Sequence, residues 1–449
     1  MHDVLDLGDI LADELAQRRE SGFDVADLER PVQEAVSSGS VAEREQLLDE
    51  LAQRPVRSDW AYEEPSDWAS IQDAALGGGG ESVQRMGDAD LRERLTGAWL
   101  GRCAGCNLGK PVEGWSREKI RRYLDAAGAF PIEDYFPRLD PFPEGLRLNW
   151  CWPETTRGNI QFMARDDDTD YTILGLHVLE EHGFGFGPSQ IAEEWQDHLP
   201  FTQTYTAERA AYRNLILGFR PPETATYRNP YREWIGAQIR GDMWGYVSPG
   251  DPAEASMLAF QDASLSHTQN GIYGEMWASA LIASCFVVET LRSAVENALR
   301  FVPQRSRLAE AVGRVLELHD SGATWDHARD EIEVTQGHYS FVHTINNSAI
   351  VTAALLWGRD DYTRTIGLAV EGGWDTDCTG ATTGSVFGAK FGASALPSHW
   401  VDPLNDRIRS AIAGFDGSRI SDLVERTLLL VRSHDERHQQ GAVGGAGRA

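Results

Sequence analysis

Residues 97–109, "GAWLGRCAGCNLG", place glycine at every fourth position: Gly97, Gly101, Gly105 and Gly109. Glycine costs a helix interior about 1 kcal/mol relative to alanine, so four in one helix need a physical reason. Spacing by four puts them on one helical face, where the missing Cβ lets another helix backbone come close. Residues 380–392, "GATTGSVFGAKFG", repeat the pattern with Gly380, Gly384, Gly388 and Gly392. Two such helices read as the buried centre of an all-α protein. Each has acid at one end, Glu113 just beyond the first and Asp375 and Asp377 just before the second. Buried central helices would bring those ends to a common place.

Outward from these stripes, helix-period apolar patterns dominate: 81–105, 170–183, 274–299, 307–322 and 347–358 all carry apolar residues at three and four spacing. Alternating strand-like runs are scarce, and no solenoid period is visible. Residues 1–54 predict two or three short amphipathic helices. The irregular "RPVRSDWAYEEPSDW" (54–68) follows, then a glycine break, "GGGGES" (77–82). The expected organisation is a helical appendage and linker over 1–85, a main all-α domain over 86–435, and a flexible tail over 436–449.

The chain of 449 residues carries 41 basic and 69 acidic residues, a formal charge of −28. That balance argues against nucleic acid or an anionic membrane surface as partner, since both need Lys/Arg patches. No apolar run of eighteen residues predicts a transmembrane helix, and the acidic start "MHDVLDLGDILADEL" lacks the pattern of a signal peptide. Five cysteines (103, 106, 151, 285 and 378) fit a reduced, cytoplasmic setting. Cys103-x-x-Cys106 has no second Cys or Cys/His pair to complete a zinc site, so both read as small buried thiols.

"RDDDTDYT" (165–172) packs Asp166, Asp167, Asp168 and Asp170 into five residues ahead of an apolar helix pattern. One or two aspartates suit a helix N-terminus, each contributing about 0.3–1 kcal/mol. Four repel one another. "GGWDTDCTGATTG" (372–384) likewise sets Asp375 and Asp377 before a helix, after a Gly372-Gly373 turn. Two Asp clusters at tight turns suit hard cations with oxygen ligands, while the EF-hand spacing is absent.

Together these motifs resemble the ADP-ribosylglycohydrolase superfamily, over about residues 88–400. Its early Gly-x-x-x-Gly…Pro-x-Glu element looks like "GAWLGRCAGCNLGKPVEG", with Glu113. Its Thr/Ser-Asp-Asp-Thr motif looks like Asp166–Thr169, and its Gly-Gly-Asp-Thr-Asp-Thr motif looks like "GGWDTDCTGA". "SHTQNGIYGEMWASA" and "FVHTINNSAIVTAALLWG" are similar to a bacterial branch whose third motif reads Gly-Gly-Trp-Asp-Thr-Asp-Cys. The resemblance implies an orthogonal all-α bundle with two Mg²⁺ ions at the base of a cleft, and hydrolysis of an N- or O-glycosidic bond to an ADP-ribosyl group. It implies Asp166, Asp167, Asp168, Asp375 and Asp377 as metal ligands, with Glu113 and Asp168 in the catalytic roles.

Against the commonest family pattern, Asp166 replaces a hydroxyl ligand, Cys378 a ligating Thr and Cys106 an Asp, and Trp374 is additional. A thiol suits Mg²⁺ poorly, which makes Mn²⁺ an alternative. His267, Asn270, Gly271 and Gly274 share one polar, small stripe on an apolar helix, which predicts the lining of a cleft. His267, Asn270, Gly373 and Trp374 are therefore the candidate substrate contacts. The expected substrate is a ribosyl group, either protein-linked or on an NAD- or nucleoside-derived small molecule, with specialised metabolism as one setting. The alternative is a non-catalytic ADP-ribose binder or crystallin-like protein on the same scaffold. A two-metal phosphohydrolase ranks last, because no Lys/Arg clamp for phosphate is visible beside either cluster.

Overall fold

The computed structural model describes residues 3–78 and 86–446, with side chains described to residue 434. Among the described residues there are 22 α-helices, joined by short 3₁₀ turns, and no strands beyond isolated bridges. The molecule is all-α.

The two glycine-striped helices, Asp88–Gly109 and Thr376–Phe391, pack antiparallel against each other at its centre. A Cβ added at Gly101 would run into the carbonyl of Gly384, one at Gly105 into Gly380, and one at Gly109 into Thr376. Backbone thus touches backbone along the whole seam. The loss of helix propensity is offset by a contact that no residue with a Cβ could make. At its end, Thr376 Oγ1 donates to Gly109 O at 2.8 Å. This hydrogen bond holds the end of the first helix against the start of the second.

Around the seam one large apolar core gathers Trp99, Trp244, Trp277 and Trp400 with side chains from most of the main helices. Arg102, fully buried, reaches out of the first striped helix to Asp242 Oδ2 (2.7 Å) and to the backbone carbonyls of Asp168 and Ile239. It thereby fixes the first turn of the Asp167–His182 helix against the centre. The 274–299 pattern forms two helices, Asn270–Cys285 and Leu291–Leu299, because Thr290 caps the second by accepting from Ser293 N at 3.0 Å.

The N-terminal segment forms three α-helices, Leu7–Glu20, Glu29–Ser38 and Val41–Ala52, with a small core of their own. Buried polar contacts dock them: Glu14 pairs with Arg232 at 2.7 Å, and Ser21 and Gln17 bond Glu233. The irregular stretch after them is equally tied, with Arg307 pairing Glu64 at 2.8 Å and Tyr273 Oη donating to Pro65 O. Most of the expected glycine break, 79–82, lies outside the described residues. At the other end the final helix runs Ile420–Ala446, continuing through the stretch expected as a flexible tail from 436.

Candidate functional site

Three chain segments end at the same place: the C-terminus of the Asp88–Gly109 helix with its Lys110–Val112 turn, the N-terminus of Asp167–His182, and the N-terminus of Thr376–Phe391. Cys378 Sγ lies 3.2 Å from Asp168 Oδ2, so the two acidic runs face each other.

Within the first run the four aspartates divide. Asp166 caps its helix, accepting from Asp168 N at 3.0 Å, and forms a buried ion pair with Lys110. Asp170 turns away, accepting from Arg165 Nε, Ser410 Oγ and Ala411 N at 2.7–2.9 Å. It is a structural tie to the 410 loop. Asp168 stays in the cluster, 3.3 Å from Arg102 Nη2, while Asp167 is half-buried. In the second run Asp375 and Asp377 share a hydrogen bond, and Asn347 Oδ1 accepts from Asp375 N at 3.4 Å.

Glu113 is the exposed member, at the rim. Its loop is pinned to the Gly-Gly-Trp turn by two backbone bonds, Gly114 N to Trp374 O (2.8 Å) and Trp374 N to Trp115 O (2.9 Å). The turn needs left-handed backbone at Gly373 (φ 78°) and Trp374 (φ 69°). A Cβ at Gly373 would meet Arg117 N at 2.8 Å. Trp374 accepts a conformation unusual for a bulky residue. Arg329 holds it there, stacked 4.2 Å over its ring and donating to Gly372 O at 2.8 Å.

The electrostatics follow from crowding. Burial and the charge of Asp166 push Asp167 up to about 8 and Asp377 up to about 6. Burial also drives Asp168 and Asp375 well above the carboxylate range, with Asp166 adding to the first and Asp377 to the second. The negative charge of Asp377 raises Glu113. Asp166 alone is lowered, because Lys110 outweighs its burial. Such a cluster holds protons unless another positive charge replaces them.

The donor set fits that replacement. Ligand atoms of Asp375, Asp377 and Cys378 lie within 4.8 Å of one another, as do those of Cys106, Asp166 and Asp168. Their oxygens suit hard divalent cations, and the two thiols, both raised well above their usual range chiefly by burial, do not.

His267 and Asn270 are placed elsewhere. Asn270 donates to Glu233 Oε2 at 2.8 Å and accepts from Leu308 N at 3.0 Å. His267 bonds Ser266 Oγ at 2.8 Å and sits beside Glu208. His267 precedes the helix, which begins at Asn270, and the small stripe packs against protein, with Gly271 against Arg232 O and Gly274 against Thr344. Sequence reading also missed Lys110, Arg102 and Arg329. Lys110 and Arg102 stand beside the first acidic run, each engaged with its aspartates. Lys110, three residues before Glu113, was the readable one; the others reach the site only through the fold.

A family model described as ADP-ribosylglycohydrolase matches residues 87–438. A protein of Archaeoglobus fulgidus, described only as uncharacterized, is 24% identical over 324 residues, covering 71% of this chain and 93% of its own. A solved structure described as an ADP-ribosylglycohydrolase-related protein complex is similar with a TM-score of 0.51 and 19% identity, covering 77% of this chain and 99% of that one. Among the described residues no helix is long and apolar enough to cross a membrane.

Proposed function

The chain belongs to the ADP-ribosylglycohydrolase family, and on that footing we propose that it is a Mg²⁺-dependent hydrolase of the glycosidic bond to an ADP-ribosyl or related ribosyl group. Family membership supports a glycohydrolase. The observation that carries the metal-dependent reading is the meeting of Asp166–Asp168 with Asp375 and Asp377 across the 3.2 Å contact of Cys378 with Asp168.

In this reading Asp166, Asp167, Asp168, Asp375 and Asp377 hold the cations, two Mg²⁺ with Mn²⁺ as the alternative. Bound there, the ions supply charge stabilisation and lower the pKa of an attacking water. Lys110 keeps Asp166 ionised and Arg102 steadies Asp168, so both ligands are pre-oriented. Cleavage passes through an oxocarbenium-like transition state, and Asp168, buried at the centre, offers negative charge to it. Glu113 stands at the rim on a loop fixed by Gly373 and Trp374, where a carboxyl can pass a proton to or from the leaving group. The −28 charge leaves no basic docking patch evident for a protein partner, which favours a small ribosyl compound over a modified protein.

Mass spectrometry of reactions with ADP-ribosyl-arginine, NAD, nucleosides and nucleotides tests this, each run with Mg²⁺ and with a chelator. The expected result is a ribosyl product from at least one, lost with chelator and in Asp377→Ala. No cleavage of any substrate by Mg²⁺-loaded protein would remove the hydrolase reading.

A further inference from the structure

We propose that His177, Glu194 and His198 form a second metal site, for a borderline divalent transition ion such as Zn²⁺, separate from the acidic cluster. His177 comes from the Asp167–His182 helix, and Glu194 and His198 lie at i and i+4 on the Pro188–His198 helix, on one face of it. His177 Nε2 is 3.0 Å and His198 Nδ1 2.8 Å from Glu194 Oε2. All three atoms are buried, yet none has a hydrogen-bond partner, because the directions of their ring nitrogens and carboxylate oxygen miss one another. The two imidazole rings stand 4.3 Å apart at 64°. The Glu194 side chain keeps only 9% of its exposure.

Lone pairs this close without hydrogen bonds are costly in the interior. A common acceptor of all three removes the cost. Imidazole nitrogens and carboxylate oxygens bind Zn²⁺ at about 2.0–2.2 Å, which sets donors about 3.4 Å apart at the tetrahedral angle and about 3 Å apart at the right angles of a six-coordinate ion such as Fe²⁺ or Co²⁺. The measured edges of 3.0 and 2.8 Å match the right-angled spacing, and a tetrahedral ion draws them apart by about 0.5 Å. Two imidazoles and one carboxylate select Zn²⁺ or Fe²⁺ over Mg²⁺. The surroundings are those of a built site: His182 Nε2 bonds the other Glu194 oxygen at 2.7 Å, which orients the carboxylate. The 410 loop closes over it, with Ala413 N donating to His198 O at 2.9 Å and the Phe415 ring 5.7 Å from His177.

Ten residues along a helix separate His177 from Asp167, about 15 Å. The ion would clamp the helix whose first turn carries Asp166–Asp168 to its neighbour. The test is metal retention by the full chain at saturating Mg²⁺, so that the acidic cluster is occupied. After offering Zn²⁺, Fe²⁺ or Co²⁺ separately and desalting, one equivalent of transition ion is expected in the wild type and none in His177→Gln or His198→Gln. The Co²⁺ form is expected to show visible d–d bands without a thiolate charge-transfer band, which separates this site from one using Cys106 or Cys378 and does not depend on any variant folding. Failure of the wild type to retain any of the three ions overturns the proposal. So does a thiolate band, or an undiminished equivalent in both folded variants. None of these outcomes bears on the Mg²⁺ reading of the acidic cluster.

Discussion

Cys378 and Asp168, 210 residues apart in the chain, meet with Sγ 3.2 Å from Oδ2. The contact sets a soft thiol where a hard cation's ligands gather. Cys378→Ser replaces it with an oxygen of nearly the same size. Titration calorimetry is expected to show Mg²⁺ affinity rising, and the ratio of Mn²⁺ to Mg²⁺ affinity falling.

The glycine seam makes a sharper demand. Gly105→Ala gains about 1 kcal/mol of helix propensity, but its Cβ would strike the backbone carbonyl of Gly380, which cannot rotate aside. Overpacking of this kind costs about 1–3 kcal/mol in side-chain cores, and more against backbone. The expected net effect is a lower melting temperature together with weaker Mg²⁺ binding, since the two helix ends carry the ligands. An alanine variant as stable as the wild type would mean the seam tolerates separation.

The metal-free cluster should make stability fall with rising pH. Asp377 is raised to about 6 and Asp167 to about 8 from an ordinary value near 3.8. Groups with raised folded-state values contribute fully at low pH and lose that contribution as pH rises through about 4 to 8. Mg²⁺ replaces the lost protons, so the rise in melting temperature on adding Mg²⁺ is expected to be larger at pH 8 than at pH 5.5. Binding at pH 6 to 7 should also release protons, measurable in buffers of different ionisation enthalpy.

The docked N-terminal segment depends on Arg307, which pairs Glu64 at 2.8 Å and Glu233 at 2.6 Å while keeping 4% side-chain exposure. Arg307→Ala strands both carboxylates. Breaking a buried pair from one side costs about 3–5 kcal/mol. We expect a corresponding loss in denaturant unfolding, and faster proteolysis within residues 3–78 than in the wild type.

The centre of the fold was legible because its signals are local: glycine every fourth residue, and aspartates at helix starts. The meeting of Glu113 with Asp375 and Asp377 follows from those stripes once the helices lie antiparallel. Charge compensation was legible only in part: Lys110 stands three residues before Glu113, but that it pairs with Asp166, 56 residues on, and that Arg102 reaches Asp168 across 66 residues, follow only from the fold. The partners of His267 and Asn270 were not legible either. A polar stripe on an apolar helix marks any polar neighbour, and here the neighbours include Glu208, Glu233 and the N-terminus of the Arg307–Asp320 helix. His177 escaped notice because its partners lie on another helix, although Glu194-x-x-x-His198 carries a readable half of the set.

The central claim is that the aspartates of both runs hold shared cations. Calorimetric titration of metal-stripped protein with Mg²⁺ tests it most directly, comparing wild type with Asp167→Ala, Asp377→Ala and the double variant. Shared coordination requires that each single change weaken binding by ~10-fold or more, within the range seen for disturbed metal sites, and that the double variant lose less than the sum of the two. Wild-type affinity and stoichiometry in either folded single variant would contradict the claim.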